Sequence, residues 1–183
     1  MTQILLIRHA EKPTPDAVVN GVDETGKTDR DELSVLGWQR AGALAALLCE
    51  EGAKRRMDLQ QPRHLFAARP TSDKPSARSV RTLQPLADVL GLPISLEFAA
   101  GQESEVAKAL RALDGCALVA WQHQGLVKIA AALCPSGDRG PPDHWPADRY
   151  DLIWALEGEP DTWRFRQVPQ LLLAGDCDSP IEP

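Results

Sequence analysis

Short apolar runs alternate along this chain with segments of helical spacing, and that alternation limits the fold more than any other feature. Gln3–Ile7, Arg63–Ala68, Pro93–Phe98 and Cys116–Trp121 read as strands. Between them lie four segments with helical periodicity. Ser34 reads as the N-cap of the first, which carries Ala41, Leu44, Ala45, Leu47 and Leu48 and has Gly52 as its stop. The second starts at Ser76, carries Val80, Leu83, Leu86 and Leu90, and ends at Gly91. The third spans Gln102–Leu113 and the fourth Leu126–Leu133. Tyr150–Leu156 and Thr162–Val168 flank a turn at Glu157–Asp161 and read as an antiparallel hairpin. Strands in alternation with helices predict an α/β three-layer sandwich: a mainly parallel central sheet, helices on both faces, and a C-terminal hairpin. The tail from Gln170 carries no pattern and reads as a frayed end. At 183 residues the chain fits one domain, taken as 1–183.

Charge narrows the function classes. The formal net charge is −6, whereas a general nucleic-acid binder needs a basic face to displace counterions, so nucleic acid is not expected as a partner. An anion site on such a chain has to be locally basic against the overall field. No apolar run approaches the roughly 20 residues that span a bilayer, so no membrane association is expected. The N-terminus enters its first strand without a basic leader, which reads as no signal peptide. Cys49, Cys116, Cys134 and Cys177 lack metal-ligand spacing and read as free thiols in a reducing compartment. These points together predict the cytoplasm.

The chemistry-bearing residues fall where strands end. Arg8 and His9 follow the first strand, and His123 follows the strand Cys116–Trp121. Ligands of open parallel sheets bind beyond the carboxyl ends of strands, so both histidines are expected at one sheet edge. Arg78 opens the helix after the second strand and belongs to the same edge. Arginine offers a planar fork suited to phosphate oxygens, and histidine either donates hydrogen bonds or acts as a nucleophile.

Four ordered segments resemble the histidine phosphatase (phosphoglycerate mutase-like) superfamily, in its small phosphatase branch. Leu6-Ile7-Arg8-His9-Ala10-Glu11 resembles its signature strand and Arg-His pair. Leu33-Ser34-Val35-Leu36-Gly37-Trp38-Gln39-Arg40-Ala41 is similar to its first helix start. Ser76-Ala77-Arg78-Ser79-Val80-Arg81-Thr82 resembles the segment whose arginine joins the phosphate pocket. Leu118–Gly125 resembles the strand that ends in the second histidine. The resemblance covers about residues 3 to 134. It implies a phosphatase acting on a phosphomonoester or phosphohistidine through a phosphohistidine intermediate on His9, with Arg8, Arg78 and His123 holding the phosphoryl oxygens. It implies no metal and no cofactor, and a small phosphorylated substrate or a phosphoprotein as partner. The oligomeric state is not written in the sequence. Register to Thr82 favours Arg78 over Arg81 for the pocket.

The match departs in places. Gln124 stands where one branch places an acidic residue after the second histidine. Glu103, chosen over Glu97 and Glu105, is the candidate acid for the leaving oxygen; the alternative is a first-turn glutamate favoured by the helix dipole. Ser34 is a candidate phosphate contact as well as an N-cap. The stretch Arg69–Pro75 is longer than the family's compact form, and either lines the entrance or is a solvated loop. Lys12 either attracts substrate or is solvated, and Trp121 either walls the pocket or joins the core. His144 and Trp145 sit in a Pro-rich loop over Pro135–Asp148 that either packs through Trp145 or forms a lid. A zinc site from His9, His123 and His144 lacks the usual spacing. No room exists between Gly91 and Cys116 for a mutase-type capping insertion, so a phosphatase is favoured over a mutase. The rival from another class is a phospho-ligand-binding protein that keeps the pocket but lacks an effective acid.

Overall fold

The first strand, β1 (Thr2–Arg8), is buried at every position, as a strand covered on both faces has to be. The structure is a computed structural model and describes residues 2–16, 18, 20–49, 59–134, 140–159 and 162–182. After β1 come α1 (Val35–Leu48), β2 (His64–Ala67), α2 (Arg78–Leu90), β3 (Ile94–Ser95), α3 (Glu103–Arg111), β4 (Cys116–Trp121), α4 (His123–Leu133), β5 (Leu152–Gly158) and β6 (Arg164–Pro169). The sheet order is β3-β2-β4-β1-β5-β6. The first four strands of that order run parallel; β5 is antiparallel to β1, and β6 to β5.

The pleat of β1 sorts its side chains onto two cores. Ile4 and Leu6 join Val119 and Trp121 against Val106 and Leu110 of α3 and Leu126 and Ile129 of α4. Leu5 and Ile7 join Leu118 and Ala120 against Leu44 and Leu48 of α1 and Leu83 and Leu86 of α2. Two helices on each face of one sheet make the expected three-layer sandwich. Trp121 belongs to the core and is fully buried. Gly125 is required beside it, because a Cβ there would collide with the Trp121 indole.

Several boundaries differ from the sequence reading. The third strand shrinks to Ile94–Ser95, an edge strand paired only through Leu65 and Phe66 of β2. Helix α4 begins at His123 rather than Leu126, and α2 begins at Arg78 rather than Ser76. The stop assigned to Gly52 and part of the hairpin turn (160–161) lie outside the described residues.

The tail is not frayed. Gln170 is buried and donates to the carbonyls of Tyr150 and Leu152, Asp176 pairs with Arg40 of α1, and Ile181 is buried in the core. Irregular hydrogen bonds hold it, and these leave no periodicity in the sequence. Trp145 packs on Trp154, with ring centroids 4.6 Å apart, and donates to the Arg149 carbonyl at 3.0 Å.

Candidate active site

Parallel pairing of β1 with β4 puts Arg8 opposite Trp121. One step further, the His9 amide donates to the Trp121 carbonyl at 2.9 Å. The chain therefore leaves both strands at the same edge, with His9 on one side and His123, the first residue of α4, on the other. Strand β2 neighbours β4, and the helix that follows it starts with Arg78. Arg8, His9, Arg78 and His123 all line one cavity of about 330 Å³.

The His9 ring is fixed by its own backbone. Nδ1 lies 2.8 Å from the Ala10 carbonyl, an acceptor only, so Nδ1 carries the proton. Nε2 is left with its lone pair and no protein partner among the described residues. Desolvation, with the charges of Arg8, Arg78 and His123, lowers the His9 pKa to about 3 and keeps the ring neutral. His123 is shifted down by desolvation, by Arg8 and by Lys12.

Arg8 is 2% exposed. Its Nη1 donates to the carbonyls of Ala147 and Arg149, and Tyr150 lies against the guanidinium face, 3.9 Å from ring centroid to Cζ. The Tyr150 ring also sits tilted against His9, with centroids 6.2 Å apart. One edge of the guanidinium is thus anchored. The other edge is Nε and Nη2; Nε is buried without a hydrogen-bond partner, and Nη2 makes none among the described residues. Such a fork is the side of arginine that takes two oxygens of one phosphate. Arg78 is held by Nε to the Glu32 carbonyl at 3.1 Å and by Nη2 to the Arg30 carbonyl. Desolvation lowers the pKa of both arginines from its usual value.

Helix ends add to the anion field. Neither α2 nor α4 has a side-chain cap at its N-terminus, and neither has an acidic residue in its first turn. Ser79 of the first α2 turn and Gln122 before α4 line the cavity beside Arg78 and His123. Free N–H groups at such termini favour a bound anion. In contrast, α1 is capped by the Ser34 hydroxyl, and α3 carries Glu103 and Glu105 in its first turn.

Two expected site residues are not brought to this cavity. Ser34 spends its hydroxyl on the fold: it accepts from Gly37 N at 3.0 Å and donates to the Glu11 carbonyl at 3.0 Å. The Glu103 carboxylate is buried, accepting from Trp121 Nε1 at 3.1 Å and Gly101 N at 3.0 Å. Burial alone would raise its pKa, but these hydrogen bonds outweigh burial and hold it below the usual glutamate value. That favours an ionised anchor for the Trp121 indole over a proton donor.

Arg81 is taken up by Glu24 and Glu32, which leaves Arg78 as the pocket arginine of the two. His144 is exposed beside Asp143 and does not line the cavity. The stretch after β2 does line it, through Arg69, Lys74 and Pro75, and Lys12 lines it too. Sequence reasoning missed Asp31, the carboxylate that lines the cavity, 4.0 Å from Arg78 Nη2. It also missed Tyr150 as the backing of Arg8. The lack of a capping residue at Ala77 and Gln122 was a usable signal for the open helix ends. Tyr150 left none, because its partner is 142 positions away.

No family model matches the chain, and no curated protein matches it. Solved structures do. The protein histidine phosphatase SixA complexed with tungstate aligns over 92% of this chain and 97% of its own, with a TM-score of 0.59 and 20% identity. Bacillus stearothermophilus YhfR aligns over 97% of this chain and 98% of its own, with a TM-score of 0.56 and 14% identity. Likeness at this level of identity establishes the fold. It is the phosphoglycerate mutase-like arrangement that the four ordered segments implied.

Proposed function

We propose that this chain, which carries the phosphoglycerate mutase-like fold, is a single-domain phosphatase of the histidine phosphatase superfamily that works through a phosphohistidine on His9. The observation that carries the reading is an unpaired pair of groups. The Nε–Nη2 edge of Arg8 makes no hydrogen bond among the described residues, and Arg8 lines the same cavity as a neutral His9 whose Nε2 is likewise unpaired among them.

Phosphoryl transfer spreads charge over the equatorial oxygens, so positioned cations and N–H donors supply most of the catalysis. In the first step His9 Nε2 forms a bond to phosphorus as the bond to the leaving atom breaks, an oxygen in an ester or a ring nitrogen in phosphohistidine. The leaving group departs with the electron pair and takes a proton from solvent. Arg8, Arg78, His123 and the open starts of α2 and α4 hold the phosphoryl oxygens. In the second step water attacks phosphorus, the N–P bond breaks, and its electron pair returns to Nε2. The proton lost by water passes to phosphate or solvent.

Asp31 is the carboxylate lining the cavity, and it faces Arg78, so the reading favours substrates that leave without strong acid help: aryl phosphates and phosphohistidine among them. The same observation favours one rival, a phospho-ligand-binding protein with little turnover. The experiment is turnover of an aryl phosphate and of a phosphohistidine peptide by the wild type, beside His9→Ala and Arg8→Met. Turnover lost in His9→Ala and cut by 100-fold or more in Arg8→Met supports the enzyme. A folded wild type that turns over neither substrate but binds inorganic phosphate would establish the rival.

A further inference from the structure

Several arginines outside the cavity are ion-paired. Arg40 meets Glu11 and Asp176, Arg81 meets Glu24 and Glu32, Arg149 meets Asp151, and Arg166 meets Glu157. The cavity wall is different. Lys12, Arg69 and Lys74 are exposed and make no side-chain hydrogen bond or ion pair among the described residues. With Arg8 and Arg78 they put five cations on a cavity whose described lining residues include one carboxylate, Asp31. The chain as a whole has 26 acidic residues against 20 basic ones, so such a local surplus runs against its composition.

A phosphate monoester brings a charge of about −1.5 to −2 at neutral pH. Arg8 and Arg78 balance that, since desolvation keeps His9 neutral and works against a charge on His123. Asp31, which faces Arg78, takes one charge from the cavity total. A surplus of about two charges remains on Lys12, Arg69 and Lys74, with no further carboxylate among the described lining residues to meet it.

Two of these residues stand on the stretch after β2 and the third on the loop after β1. They border the same cavity rather than spreading over the surface. A volume of about 330 Å³ suits a small molecule.

We infer that Lys12, Arg69 and Lys74 form a second anion subsite, so that the substrate is a small phosphorylated molecule bearing another anionic group, a carboxylate or a second phosphate. This rests on the phosphatase reading for the identity of the first site, where the phosphoryl group reacts. Arg69 and Lys74 then act as specificity determinants, because they reward the second charge wherever the spacer lets it reach them.

The test uses ligands that cannot turn over. Calorimetry on the wild-type chain compares an alkylphosphonate, a phosphonoalkanoate and an alkane bisphosphonate, each at several spacer lengths and at low salt. The phosphonoalkanoate or the bisphosphonate is expected to bind about fivefold tighter than the alkylphosphonate at its best spacer, as two exposed ion pairs allow. The two arms show which anion is preferred. In Arg69→Met/Lys74→Met the ratio is expected to fall towards one, and in the wild type to shrink as salt rises. Equal affinities in the wild type at every spacer, or a ratio unchanged in the double variant, would overturn the subsite. Failure of the phosphatase reading is seen separately, as loss of aryl phosphate turnover, and does not enter this affinity ratio.

Discussion

A histidine that attacks phosphorus has to be neutral and correctly turned. His9 meets both needs with one hydrogen bond, from Nδ1 to the Ala10 carbonyl, inside a wall of guanidiniums. Its pKa is lowered to about 3, first by desolvation, so under the proposed mechanism the free protein keeps a neutral His9 between pH 7 and pH 5. The acid limb of kcat/KM, which reports the free enzyme and free substrate, is therefore expected to follow the second ionisation of each substrate's phosphate. Aryl phosphates of different acidity should shift that limb; one fixed near pH 6.5 for all of them would place the titration on His9 instead. Stability carries the same sign. The unfolded chain takes up a proton near 6.5 that folded His9 refuses, so the folded state loses stability as pH falls from about 6.5 towards 3. Tyr150 acts one residue back, on Arg8. Stacking of this kind contributes about 1 kcal/mol, so Tyr150→Leu is expected to lower kcat/KM about fivefold, while Tyr150→Phe keeps the ring face and stays near wild type. Equal losses in both variants would assign the effect to the hydroxyl. Arg8, His9, Arg78 and His123 were legible because each follows a strand or opens a helix. Tyr150 was not, since the contact that gives it a role joins distant parts of the chain.

Helix starts divide the elements by task. α1 satisfies its first turn with Ser34, whereas α2 and α4 leave theirs open at the cavity. Helix α2 is also tied to the loop after β1: the Ala10 amide donates to Thr82 Oγ1 at 2.8 Å, and that hydroxyl donates to the Arg78 carbonyl at 2.7 Å. One threonine thus links the segment that holds His9 to the turn that presents Arg78. Ser34→Ala should cost about 1 kcal/mol of stability, the worth of a cap, with kcat/KM within about twofold of wild type. Thermal unfolding and steady-state kinetics on the same sample check both halves; a large fall in kcat/KM with a small change in Tm would return Ser34 to the substrate site. The strands and helices were readable because their periodicities are those of the buried faces. The start of α4 was missed because apolar spacing begins only at Leu126, while the helix begins at His123 with side chains that do not pack into the core. Glu103 misled for a related reason. A glutamate in a first turn looks the same in sequence whether it faces a cavity or bonds to an indole.

On the scale of the whole molecule, the C-terminal tail closes a circuit back to the site. Arg40 of α1 is 3% exposed and holds Glu11 after β1, Gln170 after β6, and Asp176 in the tail. Asp151 accepts from the Cys177 amide, and Arg149 reaches both Asp151 and the Ser179 carbonyl. The carbonyls of Ala147 and Arg149, in the same stretch, anchor Arg8. A tail without sequence pattern thus supports the segment that anchors Arg8, and only the folded contacts reveal it. Arg40→Met would leave the Glu11 and Asp176 carboxylates buried without their cation, at a cost of about 3 kcal/mol near neutral pH. Burial by itself would raise the Asp176 pKa, but hydrogen bonds from Arg40 and from the amides of Leu173 and Leu172 outweigh it, and the folded value lies below the unfolded one. The wild type therefore holds this stabilisation above the unfolded value, near 3.9, and loses it as pH falls through the folded value. In the variant that partner is gone, so the gap in stability between the two proteins should be widest near pH 7 and narrow as pH drops below about 4. Denaturant unfolding of both across that range measures it. A gap that stays constant with pH would mean that Arg40 acts by packing its stem and not by holding the two carboxylates.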